Sequence, residues 1–223
     1  MHPDSLKAAL DYIVTNNVDH DVLYSQLAPS DTAKVRRYRT RFMSIVAKTY
    51  PANSSKSRRS WISQQNGLKG RCFEHMMRSL LPTVFQTWER IQTDTNELDI
   101  LIEHGPMCSF FPSLREWGTH SICECKSNKD TFSVTWVDKL AGVLDKHAAR
   151  VGIVMGTRAP QTRGNGQRAL ESIRMYAITN RTIIVLDLAD VERCLNGENA
   201  LKLISRRYIE IRTGTQKYRL IGN

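Results

Sequence analysis

Hydrophobic residues along the chain follow a helical spacing in some stretches and a strand-like alternation in others. Apolar positions three and four residues apart predict helices, whereas alternation or a short apolar run predicts a strand. The predicted helices cover residues 4–15, 19–27, 31–50, 68–81, 134–149 and 167–179, and the predicted strands cover residues 84–91, 97–103, 119–126, 151–155 and 182–188.

Local signals define the ends of several of these elements. Asp31 is expected to cap the third helix, which ends before Pro51. Asp190 is expected to cap a short helix that runs through Leu195. The last stretch, RRYIEIRTGTQKYRLI, alternates apolar and polar residues and predicts a hairpin that turns near residues 213–215.

The order of these elements predicts an α/β protein. Only helices precede Gly67, and helices and strands alternate after it, which favours a central mixed sheet flanked by helices. The stretch PANSSKSRRS has the polar composition of a linker. We therefore expect a basic, helical N-terminal region over residues 1–59 and a second domain over residues 60–223.

Positive charge is concentrated in one segment of the chain. The net charge is +10, and no acidic residue lies between Asp31 and Glu74. That segment contains 11 basic residues, one more than the net charge of the whole chain. Such a segment is either a solvated basic surface or a binding site for a polyanion, and duplex DNA is the polyanion that we expect. The candidate DNA contacts are Arg36, Arg37, Arg39, Arg41, Lys56, Arg58 and Arg59.

Two of the predicted strands carry charged residues among apolar neighbours. In SICECKSN, Glu124 and Lys126 alternate with two cysteines, so the charged pair shares one face of the strand, at its open edge or in a cleft. In NELDILIE, Asp99 stands between two apolar residues, and Glu74 lies in the helix upstream. Charged side chains are rarely buried unless they are paired or bind a metal, which indicates a site.

Three carboxylates and a lysine from one helix and two strands can converge on a hard divalent cation. Mg²⁺ prefers oxygen ligands and keeps several waters, so two carboxylates and a main-chain carbonyl suffice to hold it. A bound cation of this kind activates water and neutralises charge on a phosphodiester. Cleavage by a protein that grips DNA would need this chemistry.

The motifs ELDIL and CECK, taken together, resemble the D…(D/E)xK core of the restriction-endonuclease-like phosphodiesterases, the PD-(D/E)xK superfamily. The later stretches VDKLAGVLDKHAARVGIVM and RALESIRMYAITNRTIIVLDL resemble the helices and strands that follow this core in Mrr-like members. The resemblance covers roughly residues 67–195 and implies a restriction-endonuclease-like core for the second domain. Two departures are the absence of a proline before Asp99 and a long connection over residues 104–119.

The resemblance also implies an activity and a role for each residue. The chain would be a Mg²⁺-dependent DNA endonuclease, most simply a restriction or defence enzyme, and Mn²⁺ would substitute for Mg²⁺. We expect a homodimer, because two copies of the chain would cut both strands. Asp99, Glu124 and the main-chain carbonyl of Cys125 would bind the cation, and Lys126 would position the attacking water. Glu74 matches a helix glutamate that some members use as an extra ligand or as a base.

Other interpretations stay open at this stage. The fold can serve as a nucleic-acid-binding or assembly subunit that does not cleave. Among enzymes, junction resolution, repair, transposon-end cleavage and RNA cleavage are alternatives. Glu97 and Glu103 share the strand face of Asp99 and are rival ligands. A zinc site is a further alternative, because histidine and cysteine side chains that can bind zinc occur at His104, Cys108, His120, Cys123 and Cys125. They lack the usual paired CxxC spacing.

Several patterns argue against other classes of protein. No G-K-[ST] sequence is present, so we expect no nucleotide cofactor. No apolar run approaches the roughly 18 residues of a membrane span, and the N-terminus lacks the pattern of a signal peptide. The five scattered cysteines are typical of reduced thiols, so we expect a cytoplasmic protein.

Overall fold

The computed structural model describes most of the chain from residue 31 onward. The described residues are 31–51, 57–81, 85–94, 97–106, 108, 111–127, 132–161 and 163–214, together with two isolated helical residues, Ala8 and Thr15. Apart from these two residues, the helices predicted over residues 4–15 and 19–27 lie outside the described residues.

Helices and strands alternate along the second part of the chain, which confirms the α/β class. The helices are α1 (Thr32–Ala47), α2 (Arg58–Leu80), α3 (Pro112–Arg115), α4 (Val134–Lys146), α5 (Gly164–Ile178), α6 (Leu188–Leu195) and α7 (Ala200–Thr213). The strands are β1 (Phe85–Gln92), β2 (Glu97–His104), β3 (His120–Lys126), β4 (Val151–Gly156) and β5 (Thr182–Leu186). None of the described helices is long and apolar enough to cross a membrane.

The five strands form one mixed sheet in the order β1-β2-β3-β4-β5. The pairs β1–β2 and β2–β3 are antiparallel, and the pairs β3–β4 and β4–β5 are parallel. Because β2 is antiparallel to β3 and β4, its first residues lie at the same end of the sheet as the last residues of β3 and β4. At that edge Lys126 pairs with Gly156.

Apolar side chains between the sheet and its helices form the core. Strands β4 and β5 are buried along their whole length, as their continuous apolar sequences VGIVMG and TIIVL indicate. Helix α4 lies close to β4, because a Cβ atom on Gly152 would lie only 2.8 Å from Leu140 Cδ2. Helix α2 packs against β2 and β3 and buries Phe73, Met76 and Met77.

Helix α1 packs along α2. Asp31 caps α1 as predicted, since its Oδ1 accepts a hydrogen bond of 2.9 Å from Lys34 N. The rings of Phe42 and Phe73 meet edge to face with centroids 4.5 Å apart. The N-terminal region is thus in contact with the second domain through its last helix.

Helix α2 begins ten residues earlier than predicted. It starts at Arg58, with Ser57 as its N-cap, and it is continuous across residues 59 and 60, where the linker composition placed the boundary. The glycines at positions 67 and 70 are poor helix formers and hid this continuity in the sequence. The division into residues 1–59 and 60–223 stays a prediction.

The C-terminal hairpin was a wrong prediction, because residues 206–213 belong to helix α7. Its buried residues Leu201, Ile204, Tyr208 and Ile211 are three or four positions apart, which is the spacing of a helix packed on one side. The alternation in YIEI is too short to outweigh that longer pattern. Residues 215–221 of the predicted hairpin lie outside the described residues.

The cap of α6 also differs from the prediction. Asp187 is the N-cap and accepts a hydrogen bond from Asp190 N, while Asp190 Oδ2 accepts one from Asp187 N. The two residues form a reciprocal capping box, so Asp190 is the third residue of the helix. It is 1% exposed, and Arg207 Nη2 donates a hydrogen bond of 2.6 Å to it.

Candidate active site

The register of β2 and β3 brings Asp99 and Glu124 to the same place. The ladder ends at the pair Ile100 and Cys123, and extending its register by one residue sets Asp99 beside Glu124. The charge of Glu124 raises the pKa of Asp99, which agrees with this placement. Residues that face each other across antiparallel strands have Cβ atoms about 4.5–5.5 Å apart and lie on one face of the sheet. The two carboxylates therefore share one corner of the sheet, at the edge where β3 ends.

Asp99 is tied to β3 by a main-chain contact. Its Oδ2 accepts a hydrogen bond of 2.7 Å from Cys125 N, and the residue is half-buried. Burial and the charge of Glu124 raise the pKa of Asp99 to about 6, although the hydrogen bond from Cys125 partly opposes them. An acid with such a pKa is poorly compensated in the metal-free protein, which is typical of functional sites.

Glu124 and Lys126 form a close ion pair. Lys126 Nζ donates a hydrogen bond of 2.7 Å to Glu124 Oε2. Glu124 is only 5% exposed, so this acid is more deeply buried than the open edge or cleft expected from the sequence. Burial alone would lower the pKa of Lys126, but the charge of Glu124 and its hydrogen bond outweigh burial, and the pKa is raised.

Glu74 reaches the same corner from helix α2. It is buried, and Arg90 Nε donates a hydrogen bond of 3.1 Å to its Oε2. The charge of Glu74 contributes to the raised pKa of Asp99. The sequence did not single out Arg90, because nothing in the local pattern FQTWERIQ distinguishes it from an ordinary exposed strand residue.

The corner therefore collects three carboxylates and two cationic side chains: Glu74, Asp99, Glu124, Lys126 and Arg90. The excess of negative charge favours a cation. Within the described part of the chain, no three His, Cys, Asp or Glu side chains are grouped so that they could hold a metal ion together. A cation here would be held by the carboxylates of Asp99 and Glu124, by main-chain oxygen and by water, which is a coordination that Mg²⁺ accepts.

The residues with zinc-type side chains are engaged in other contacts. The ring of His104 uses both nitrogens in hydrogen bonds, with Gly118 O and with Ser121 Oγ. Burial raises the pKa of the Cys108 thiol to about 11. A hydrogen bond with Cys123 and burial raise the pKa of the Cys125 thiol well above its ordinary value. These thiols are therefore protonated at neutral pH in the metal-free protein.

The candidate DNA-binding arginines have different environments. On α1, Arg36, Arg37 and Arg41 are exposed, whereas Arg39 forms an ion pair with Glu192 of α6. Arg39 therefore links α1 to α6. The remaining candidates lie at the start of α2, where Arg58 and Arg59 are exposed, and in the preceding stretch, where Lys56 lies outside the described residues.

Replacing Asp99 with asparagine is expected to stabilise the metal-free protein at alkaline pH. The folded protein holds the Asp99 proton up to about pH 6, whereas an ordinary aspartate loses it near 3.8. Between these values the folded state binds more protons than the unfolded state, so the contribution of Asp99 to stability falls as the pH rises. The gain should be about 1–2 kcal/mol at about pH 8 in EDTA, because partial exposure screens the effect.

Thermal unfolding of the wild type and of Asp99→Asn in EDTA at a series of pH values measures this gain. The difference in melting temperature should shrink as the pH falls toward 4 and both proteins carry a neutral side chain. A variant that is less stable than the wild type at alkaline pH would contradict the raised pKa.

No protein-family model matches the chain, and no curated protein and no solved structure matches it significantly.

Proposed function

We propose that the chain is a Mg²⁺-dependent endonuclease with a restriction-endonuclease-like core, which hydrolyses phosphodiester bonds in duplex DNA. The observation that carries the proposal is the meeting of Asp99, Glu124 and Lys126 at one corner of the sheet. Cys125 N donates a hydrogen bond to Asp99, Lys126 donates one to Glu124, and the charge of Glu124 raises the pKa of Asp99. A protein that only binds nucleic acid gains nothing from two adjacent carboxylates, because they repel phosphate.

Asp99, Glu124 and the main-chain carbonyl of Cys125 would hold the cation. In an extended strand the N–H and C=O groups of one residue point to the same side. The N–H of Cys125 points to Asp99, so its carbonyl oxygen faces the same side. When bound, Mg²⁺ would lower the pKa of a water molecule and would neutralise charge on the phosphodiester.

Lys126 would hold the attacking water and assist the loss of its proton. The charges of Glu124 and Asp99 favour the protonated form of Lys126 and raise its pKa. A cation held by these carboxylates would weaken that effect and would lower the pKa of Lys126. Its Nζ atom would then exchange a proton with water more readily at neutral pH.

The exposed arginines of α1 would bind the DNA backbone, and two copies of the chain would cut the two strands. Arg36, Arg37 and Arg41 lie in the segment between Asp31 and Glu74 that contains no acidic residue, and they are exposed, which suits contacts with phosphate. Restriction or defence is the biological role that we propose, because cleavage of duplex DNA by a dimer suits it.

Incubation of supercoiled plasmid DNA with the protein tests the proposal. We expect nicked and linear products with Mg²⁺ or Mn²⁺ and none with EDTA. Glu124→Gln should remove the activity, because it removes a ligand charge while keeping the size of the side chain. Glu171→Gln is a matched control, since Glu171 lies exposed on α5 and its carboxylate accepts a hydrogen bond from Gln167 of the same helix.

The outcome also separates the proposal from its main rival. If the protein shifts duplex DNA on a gel but leaves plasmid intact in every divalent cation tested, it is a binding or assembly subunit and the nuclease proposal is wrong. Equal cleavage by the wild type and by Glu124→Gln would mean that the activity does not arise at this site.

A further inference from the structure

Arg90 has an unusual backbone conformation in the middle of an otherwise regular strand. The ladder pairs Glu89 with Ile100 and Ile91 with Leu98, so Arg90 lies opposite Asp99. Its φ is 51°, in the left-handed region that glycine and asparagine adopt more easily than arginine. Strained residues of this kind persist where their surroundings impose them, and they cluster at functional sites.

The side chain of Arg90 is held by a hydrogen bond at Nε, and about half of it is exposed to solvent. Its Nε donates a hydrogen bond of 3.1 Å to Glu74 Oε2, and the Glu74 side chain is only 11% exposed. The Arg90 side chain is 53% exposed. Among the described residues, the terminal amino groups of Arg90 have no hydrogen-bond partner. The hydrogen bond and the charge of Glu74 raise the pKa of Arg90, so the guanidinium is a permanent cation.

The balance of charge at the corner indicates a role for the Arg90 guanidinium. Lys126 is occupied by Glu124, with a hydrogen bond of 2.7 Å. Three carboxylates against Lys126 and Arg90 leave one net negative charge, and one divalent cation would change it to one net positive charge. A single phosphodiester group would then neutralise the corner. Without Arg90 the same corner would carry a net negative charge once phosphate was bound.

We propose that Arg90 binds the phosphate group that is presented to the site, with its terminal amino groups as donors and with Glu74 as the residue that aims it. This inference rests on the proposed function and gives Glu74 a positioning role. The planar guanidinium can donate two parallel hydrogen bonds to phosphate, which a lysine cannot do. The left-handed backbone of Arg90 accompanies a side chain that is hydrogen-bonded to Glu74 of α2.

The test compares Arg90→Gln with Arg78→Gln as a matched control. The Arg78 side chain is 50% exposed and its Nη1 lies 3.2 Å from Glu89, so it has the same charge, a similar exposure and a carboxylate partner, but it lies on α2 one turn beyond Glu74. Binding of a short fluorescein-labelled duplex is measured by anisotropy over a range of salt concentrations, with Ca²⁺ in place of Mg²⁺. Cleavage with Mg²⁺ is measured separately.

We expect Arg90→Gln to flatten the log–log salt dependence of binding by about 0.9, the effect of losing one phosphate contact. Arg78→Gln should leave the slope of the wild type unchanged. Arg90→Lys should keep the slope, because it keeps the charge, but should reduce cleavage at least tenfold, because it loses the paired donors. Thermal unfolding of each variant shows whether it is folded. If Arg90→Gln does not fold, the cleavage rate of Arg90→Lys tests the role of Arg90.

An unchanged slope for Arg90→Gln, an equal loss for Arg78→Gln, or full cleavage by Arg90→Lys would each overturn the role of Arg90. A wild type that binds duplex without cutting it, combined with a flattened slope for Arg90→Gln, would refute the proposed nuclease activity and leave the phosphate contact supported.

Discussion

Replacing Lys126 with alanine is expected to abolish cleavage of DNA while leaving the affinity for duplex nearly unchanged. Lys126 Nζ contacts Glu124 inside the corner, and its side chain is mostly buried, so it is not part of the exposed basic surface that we propose binds the DNA backbone. Groups that position or deprotonate a reacting water typically contribute about 10²–10⁴-fold to the rate. Product formation on plasmid DNA and a gel shift with the same preparation measure the two properties.

The controls for this variant follow from the burial of Glu124. Alanine leaves a carboxylate that is 5% exposed without its partner, which destabilises the fold. Lys126→Gln keeps a hydrogen-bond donor to Glu124 and removes only the charge, and we expect it to be inactive as well. Lys139→Ala removes an exposed lysine of α4 and should retain activity. Full cleavage by either variant of Lys126 would refute the E-x-K interpretation.

Much of the fold was predictable, because its elements have strong local patterns. Strands β4 and β5 are continuous apolar runs, and α1 and α4 have apolar stripes and N-caps. The errors fall where two local signals compete. In α7 a brief alternation concealed a helical spacing, and in α2 the polar first residues belong to a stretch that resembled a linker. In these helices packing against the rest of the protein outweighs local preference.

The candidate site was only partly predictable. The sequence indicated that Asp99 and Glu124 lie on two strands, but their alignment depends on the ladder, which pairs residues distant in sequence. Arg90 could not have been found, because its importance depends on a backbone angle and on a contact with a different element. Nor did the sequence distinguish Arg39, which is paired with Glu192, from its exposed neighbours.

Because Arg39 is paired and the other arginines of α1 are exposed, replacing them should affect DNA binding differently. Replacing Arg36, Arg37 and Arg41 with glutamine should weaken binding to all duplex sequences alike, because contacts with phosphate carry no sequence information. Three lost contacts would flatten the log–log salt slope by up to about 2.7, which corresponds to roughly 10²-fold in affinity at about 0.15 M salt. A salt titration of the variant and the wild type with the same labelled duplex measures the change.

Arg39→Gln is the matched control, since it removes the same charge from the same helix. Arg39 pairs with Glu192 and fastens α1 to α6, so its loss should lower stability by less than about 1 kcal/mol and leave the salt slope unchanged. The corner that contains Asp99 and Glu124 should be intact in both variants, as cleavage at low salt would show. A triple variant with the slope of the wild type would remove α1 from DNA binding. Its arginines would then serve solubility or contacts with a second copy of the chain, which a change in oligomeric state would reveal.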